Sequence, residues 1–302
     1  MKTLKYFIVT LLVMVVASCS NDTTEPTEPT GTLSVKLTDA PMHYDQFMSA
    51  SVTIDKIEIG NGANVNSMIT IMNAPMKFNL LELVNGITTT MANAEMPVGN
   101  YDLMRLYISS TEMVMKNGDS FTYNMNRDGY SGNGMMQNGM MLNSNNRSVD
   151  ITLNNALIIS EGGMSEFLLD MDVDQSFMLE GVNFTGSGPN MMMSMTGFTF
   201  MPTMRFVDMS TSGTIHGNVH DTVGNLPNAT ISLMQNGIIY TSTHSDANGD
   251  YALIGIPEGT YTIKVELDSY IMDPVGNEQN MGELNMMSND TMSINFNMMP
   301  SN

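Results

Sequence analysis

After residue 31, apolar side chains fall at every second position in a series of short runs, and Gly, Asn and Asp separate those runs. Alternation of this kind puts successive side chains on opposite faces of an extended chain, so each run predicts a strand with one buried face. Residues 32–38 follow the pattern, with Leu33, Val35 and Leu37 set against Ser34, Lys36 and Thr38, and residues 51–54 repeat it. The apolar set then moves from Val52 and Ile54 to Ile57 and Ile59. That odd step requires an inserted residue, and a β-bulge at Asp55-Lys56 is the expectation. Residues 79–86, Asn-Leu-Leu-Glu-Leu-Val-Asn-Gly, are the one helical candidate, because Asn79 can accept from the first free N–H groups and Gly86 can take the left-handed stop. Further strands are expected over 101–109, 148–153, 165–173 and 197–207, with a hairpin over 111–124 turning at Asn117-Gly118. Beyond residue 214 the turn signals come closer together, at Asn236-Gly237, Asn248-Gly249 and Pro257 to Gly259. An alternating run from Met292 to Met298 is placed to close this last unit. The pattern predicts an all-β chain of two tandem β-sandwich domains, over 32–209 and 210–302.

The first 31 residues depart from that pattern. Lys2 and Lys5 precede an apolar run from Tyr6 to Ala17, and small residues follow it. This is the layout of a cleaved secretory leader over 1–18, and the run is shorter than the roughly 20 apolar residues a membrane helix needs. The stretch Val16-Ala17-Ser18-Cys19 resembles the lipobox of bacterial lipoproteins. The resemblance implies that Cys19, the single cysteine of the chain, is acylated after leader removal. Two or more acyl chains anchor a protein stably where one does not. Residues 19–31, rich in Thr, Pro and Glu, then read as an extended solvated tether. The expected location is the cell envelope, lipid-anchored at the outer membrane and facing the periplasm or the outside.

Charge narrows the partners. Asp and Glu number 31 against 11 Lys and Arg, for a formal net charge of −20, so nucleic acid is excluded as a partner. One cysteine permits no internal disulfide, and the fold must rest on packing. The 35 methionines outnumber the 25 glycines. Two readings follow. Thioethers are soft ligands for Cu(I), and Met191, Met192, Met193 and Met195 form the densest run. Methionine is also an adaptable core residue, as in Met113-Val114-Met115. Residues 129–146, where Asn-Gly-Met-Met nearly repeats, read as a surface loop.

Several separated motifs carry a family resemblance. They are Gly31 to Pro41, Val52 to Ile59, Asn79 to Gly86, Pro97 to Leu106 and Leu169 to Asp174. In this order they resemble the DUF4382 family, a domain found on bacterial envelope lipoproteins, over roughly Thr32 to Asp208; no activity comes with it. Within the last motif Asp170, Asp172 and Asp174 alternate, so on a strand their carboxylates would share one face. That face is either a cation site or the wet side of a strand that buries Leu169, Met171 and Val173. Asp39, before Ala40-Pro41, reads as a turn former.

Residues 214–270 contain Gly217-Asn218-Val219, Asn225-Leu226-Pro227-Asn228-Ala229, Asp246-Ala247-Asn248-Gly249-Asp250-Tyr251 and Pro257-Glu258-Gly259-Thr260-Tyr261. Together these resemble the carboxypeptidase regulatory-like domain, which implies a small non-catalytic sandwich of transthyretin type, also classed with carbohydrate-binding folds; the two resemblances together imply tandem sandwiches of immunoglobulin or transthyretin type. The Asp246 loop fails as an EF-hand, since Tyr251 stands where glycine is needed and Pro257 where glutamate is. His216 and His220 have no third ligand in the pattern. No catalytic constellation and no cofactor motif stands out, so the expectation is a non-enzymatic envelope module. A glycan or another surface protein is the expected partner, and Cu(I) handling is the alternative.

Overall fold

The structure is a computed structural model that describes residues 28–40, 46–64, 67–125, 134–135, 140–143, 148–186, 192–273 and 282–301. The leader, Cys19, most of the tether, His43, Met191 and most of residues 129–146 lie outside the described residues; the described parts of that last stretch, 134–135 and 140–143, are paired strands and not the expected loop. No helix among the described residues is long and apolar enough to cross a membrane.

The first domain runs through β1 (Thr30–Ala40), β2 (Phe47–Gly60), β3 (Ile69–Met72), β4 (Met76–Asn79), β5 (Thr89–Pro97) and β6 (Gly99–Met115). It continues with β7 (Ser120–Asn124), β8 (Gly134–Met135), β9 (Met140–Asn143), β10 (Ser148–Ile159) and β11 (Met164–Asp172). After the single helical turn α1 (Val173–Ser176) come β12 (Phe177–Glu180), β13 (Asn183–Thr185), β14 (Met192–Ser194), β15 (Gly197–Phe200) and β16 (Met204–Asp208). A four-stranded sheet, β16-β11-β1-β5, faces a larger one built on β3-β2-β6-β10-β9-β8. Between them the alternating residues Leu33, Val35, Leu37, Val52, Ile54, Leu106, Val149 and Leu169 form one buried core. β12 pairs with β15, and Phe177, Phe198 and Phe200 from these strands pack into the same core.

The bulge expected at Asp55-Lys56 is present. β2 runs unbroken beside β6, but its register slips between Thr53 and Ile54 and again between Ile54 and Lys56. Ile54, Ile57 and Ile59 are all fully buried as a result. The helix expected over 79–86 is reduced to one 3₁₀ turn, Leu80–Glu82. Asn79 does not cap it; its Oδ1 accepts from Ala50 N–H in β2 and its amide donates to Glu82. Asn85 and Gly86 both take positive φ, 60° and 76°. The hairpin near residue 117 also forms, but only Gly118 has positive φ, and Asn117 contributes its side chain by accepting from Asp119 N–H.

The second domain comprises β17 (Gly213–His220), β18 (Thr230–Gln235), β19 (Ile238–His244), β20 (Asp250–Ile256), β21 (Gly259–Glu266), β22 (Tyr270–Met272), β23 (Leu284–Met286), β24 (Thr291–Ser293) and β25 (Phe296–Pro300). Its sheets are β20-β17-β25-β22, with β24 also on β17, and β19-β18-β21-β23. They enclose a separate core of Ile215, Val219, Ile231, Leu233, Tyr251, Tyr261 and Phe296. Asn236 and Gly237, at φ 53° and 78°, make the two-residue turn that positive φ angles favour in hairpins. The run 292–298 divides into β24 and β25, and both pair in parallel with β17 and so complete the sandwich.

One short pattern is folded the same way in both domains. Pro97-Val98-Gly99-Asn100-Tyr101 and Pro257-Glu258-Gly259-Thr260-Tyr261 each lead one strand into the next. In both, the tyrosine hydroxyl reaches back to donate to the proline carbonyl, at 2.8 Å and 3.1 Å.

Candidate functional site

β11 and β16 have an outer face, turned away from the first core, that carries Leu168, Asp170, Arg205 and Val207. Leu168 and Val207 are buried although they belong to neither core, because the second domain covers them. Gly255 of β20 makes that approach possible. It has φ +64°, and a Cβ there would stand 2.9 Å from Leu168 Cδ2 and 3.6 Å from Val207 Cγ1.

Arg205 ties the two domains together. Its Nε donates to Asp170 Oδ2 at 2.5 Å, within the first domain. Its Nη1 and Nη2 donate to the carbonyls of Gly255 and Ile254 in β20, at 2.8 Å and 3.3 Å. The guanidinium also lies over the Tyr240 ring, 4.5 Å from its centroid. Burial pulls the guanidinium down and Asp170 and Tyr240 more than offset this, so its pKa is raised and the charge is held. A second latch sits nearby, where Asn85 Oδ1 accepts from Ala252 N–H at 2.6 Å and its amide donates to the Asp250 carbonyl at 3.3 Å. β20 is an end strand of its sheet, so four of its backbone groups are satisfied by side chains of the neighbouring domain. An end strand covered in this way is protected from pairing with other chains.

The carboxylate row expected at 170, 172 and 174 does not form, because the strand stops at Asp172. Asp170 is buried against Arg205, whereas Asp172 caps α1 by accepting from Gln175 N–H at 2.9 Å, and Asp174 lies within that turn. Burial raises the Asp172 carboxyl and the Gln175 hydrogen bonds oppose it. Among the described residues no group of three or more His, Cys, Asp or Glu is disposed to hold a metal ion. Asp39 is not in a turn. It ends β1 on the core side, its Oδ1 accepts from Val173 N–H at 3.1 Å, and its Oδ2 is buried without a partner. Burial pushes its carboxyl well above the ordinary range and Asp170 adds to that, while the Val173 N–H acts in the other direction. In the methionine run, Met193 and Met195 enter the first core and Met192 points to solvent, so these three thioethers do not converge. Met191 lies outside the described residues.

Arg205 escaped the sequence reading, and two signals could have found it. It is an arginine inside an apolar strand, between Met204 and Phe206. The face it shares also carries Leu168, an aliphatic side chain on what alternation alone assigns to solvent.

Beside the junction lies a cleft of about 620 Å³. Its walls are β16, residues 151–153 of β10, the linker residues Thr211 and Ser212, and the β18–β19 hairpin. Ile238 and Ile239 stand exposed on that hairpin, and Asp208 accepts from Ser210 N–H at the rim.

A model of a domain of unknown function, DUF4382, matches residues 30–187, more than half of the chain. The chain belongs to the DUF4382 family. Past the end of the DUF4382 match, β15 and β16 continue the same domain, β16 by pairing with β11. The carboxypeptidase regulatory-like domain matches residues 214–277. No curated protein matches the chain. Solved structures with some likeness include the Bacillus anthracis TIE protein, at 10% identity and TM-score 0.25, covering 89% of this chain and 58% of that one. Others are the D295N mutant of shaft pilin SpaA from Lactobacillus rhamnosus GG (11%, TM-score 0.23, 91% and 100%) and the Streptococcus agalactiae minor pilin GBS52 (10%, TM-score 0.23, 89% and 97%). The chain thus spans little more than half the length of the TIE protein. None of these TM-scores reaches the level of a shared overall fold.

Proposed function

We propose that this chain is a non-catalytic module of the bacterial envelope, anchored through lipid on Cys19 and built to hold a rigid two-domain head away from the outer membrane. The observation that carries the reading is the use made of Arg205. This largely covered cation bonds Asp170 in one sandwich and two carbonyls in the other, so relative motion of the domains would break charge-assisted hydrogen bonds. Such a junction suits placement and binding, for which a fixed shape is useful. The lipobox-like stretch before Cys19 and the Thr/Pro/Glu tether supply the anchor and the spacer.

The test is cell fractionation of the full chain and of Cys19→Ala. The native protein is expected in the membrane fraction and the variant in the soluble or secreted fraction, with unchanged far-UV circular dichroism. Retention of the variant in membranes refutes the anchor.

A further inference from the structure

The junction protects one strand edge and leaves another open. β20 is covered by Asn85 and Arg205, but β16, at the end of its own sheet, looks into the cleft. In an antiparallel pair, alternate residues bond to the partner strand while those between turn their N–H and C=O groups outward. Asp172 N–H donates to the Thr203 carbonyl and Met209 N–H to the Glu166 carbonyl, and these bonds set the phase of the β16–β11 pair. Arg205 and Val207 therefore bond inward to β11. Phe206 turns both its backbone groups toward the cleft, and Asp208 turns its N–H the same way; its carbonyl accepts from Ser212 Oγ. Both residues are only partly buried.

From this geometry we propose that the cleft takes an extended segment of another protein, which adds to β16 as a new strand. The N–H and C=O of Phe206 and the N–H of Asp208 are spaced for one strand partner. Exposed Ile238 and Ile239 across the cleft offer apolar contacts for alternate side chains of the guest. Charge selects among guests. Arg205 is already neutralised by Asp170, so the uncompensated charge at the rim is the Asp208 carboxylate. With a formal net charge of −20, the surface favours a guest carrying Lys or Arg and disfavours a second copy of this chain. Of the two partner classes expected from the sequence, a surface protein fits this edge better than a glycan. The inference deepens the reading of the chain as a binding module and is independent of Cys19.

The experiment uses the full chain with a capped, fluorescent nonapeptide, Lys-Thr-Val-Thr-Val-Thr-Val-Thr-Lys. The same peptide N-methylated at alternate residues keeps its side chains and loses its backbone donors. Saturable binding is expected, weakened about tenfold or more by N-methylation. Glu in place of both Lys should weaken it in the native chain, and Asp208→Lys should reverse that preference. Phe206→Pro, which removes the outward N–H along with the ring that stacks on Phe167, should abolish binding; Ile238→Asp gives the same loss without touching the strand backbone. Hydrogen exchange at Phe206 and Asp208 should slow on adding peptide, while Arg205 and Val207 are slow throughout. No saturable binding, equal affinity for the N-methylated peptide, or protection that grows with protein concentration alone would each overturn the proposal. So would cellohexaose saturating the cleft when the peptide does not. A soluble Cys19→Ala protein that fails to bind the peptide would sink this inference and leave the anchor standing.

Discussion

Asp39 and Asp170 lie on neighbouring strands of one sheet and are equally hidden, at 5% and 4% exposure. Asp170 faces outward into the junction and meets Arg205. Asp39 faces the end of the first core and meets one backbone N–H. The difference lies in the partner rather than in depth: Asp170 accepts from a guanidinium at hydrogen-bonding distance, whereas for Asp39 a single amide offsets burial only in part. The same residue type thus holds the arginine that ties two domains at one position and is held by a single backbone N–H at the other.

The widest separation between the two aspartates should come from Arg205→Met. It leaves Asp170 buried without its cation and removes two bonds to β20, and a loss of about 3–5 kcal/mol is expected by urea denaturation. A loss under about 1 kcal/mol would place Asp170 in the same class as Asp39. Pairing that change with Asp170→Leu should restore much of the loss, because an apolar pair of similar volume carries no desolvation cost; no recovery would mean that the carbonyl bonds to Ile254 and Gly255 dominate. Asp39→Asn tests the other side of the comparison through pH. A carboxyl whose folded pKa is raised contributes stability that is complete below its ordinary value of 3.8 and is lost as pH rises through the folded value. Asn keeps the acceptor for Val173 N–H and cannot ionise, so the variant should gain on the native protein as pH rises toward neutral. Parallel melting curves at every pH would show that Asp39 is not perturbed. The smallest effect belongs to Asp172, which only caps a single turn, and Asp172→Ala should cost about 1 kcal/mol in thermal denaturation.

Strand alternation, the bulge and the Asn236-Gly237 turn were legible in the chain because each follows from local geometry. The side chain of Ile57 reaches the core only if a residue is inserted after Ile54, and the sequence displays that odd step directly. Asp170 was not legible. Alternation states that Asp170 and Leu169 occupy opposite faces, but it carries no information about what covers the outer face, and here a second domain does. The helix over 79–86 failed for a related reason. Its cap residue, Asn79, bonds to β2, and local propensity yields when a tertiary partner claims the same side chain. Met193 and Met195 illustrate the converse, since an alternating run of thioethers is read as well by a core as by a metal, and the fold sent them to the core.

The parallel pairings set an order of assembly. Ribosomes deliver β1 more than a hundred residues ahead of β11, which must lie alongside it, and β17 waits in the same way for β24 and β25. Until residues 291–300 exist, one flank of β17 has no neighbour, and the nascent second domain exposes a strand that any other chain could borrow. Contacts so distant along the chain are slow to form. Maturation of each sandwich is therefore gated by a late strand, and a chaperone that shields unfinished sheets would have most to do on the second domain just before residues 291–300 appear.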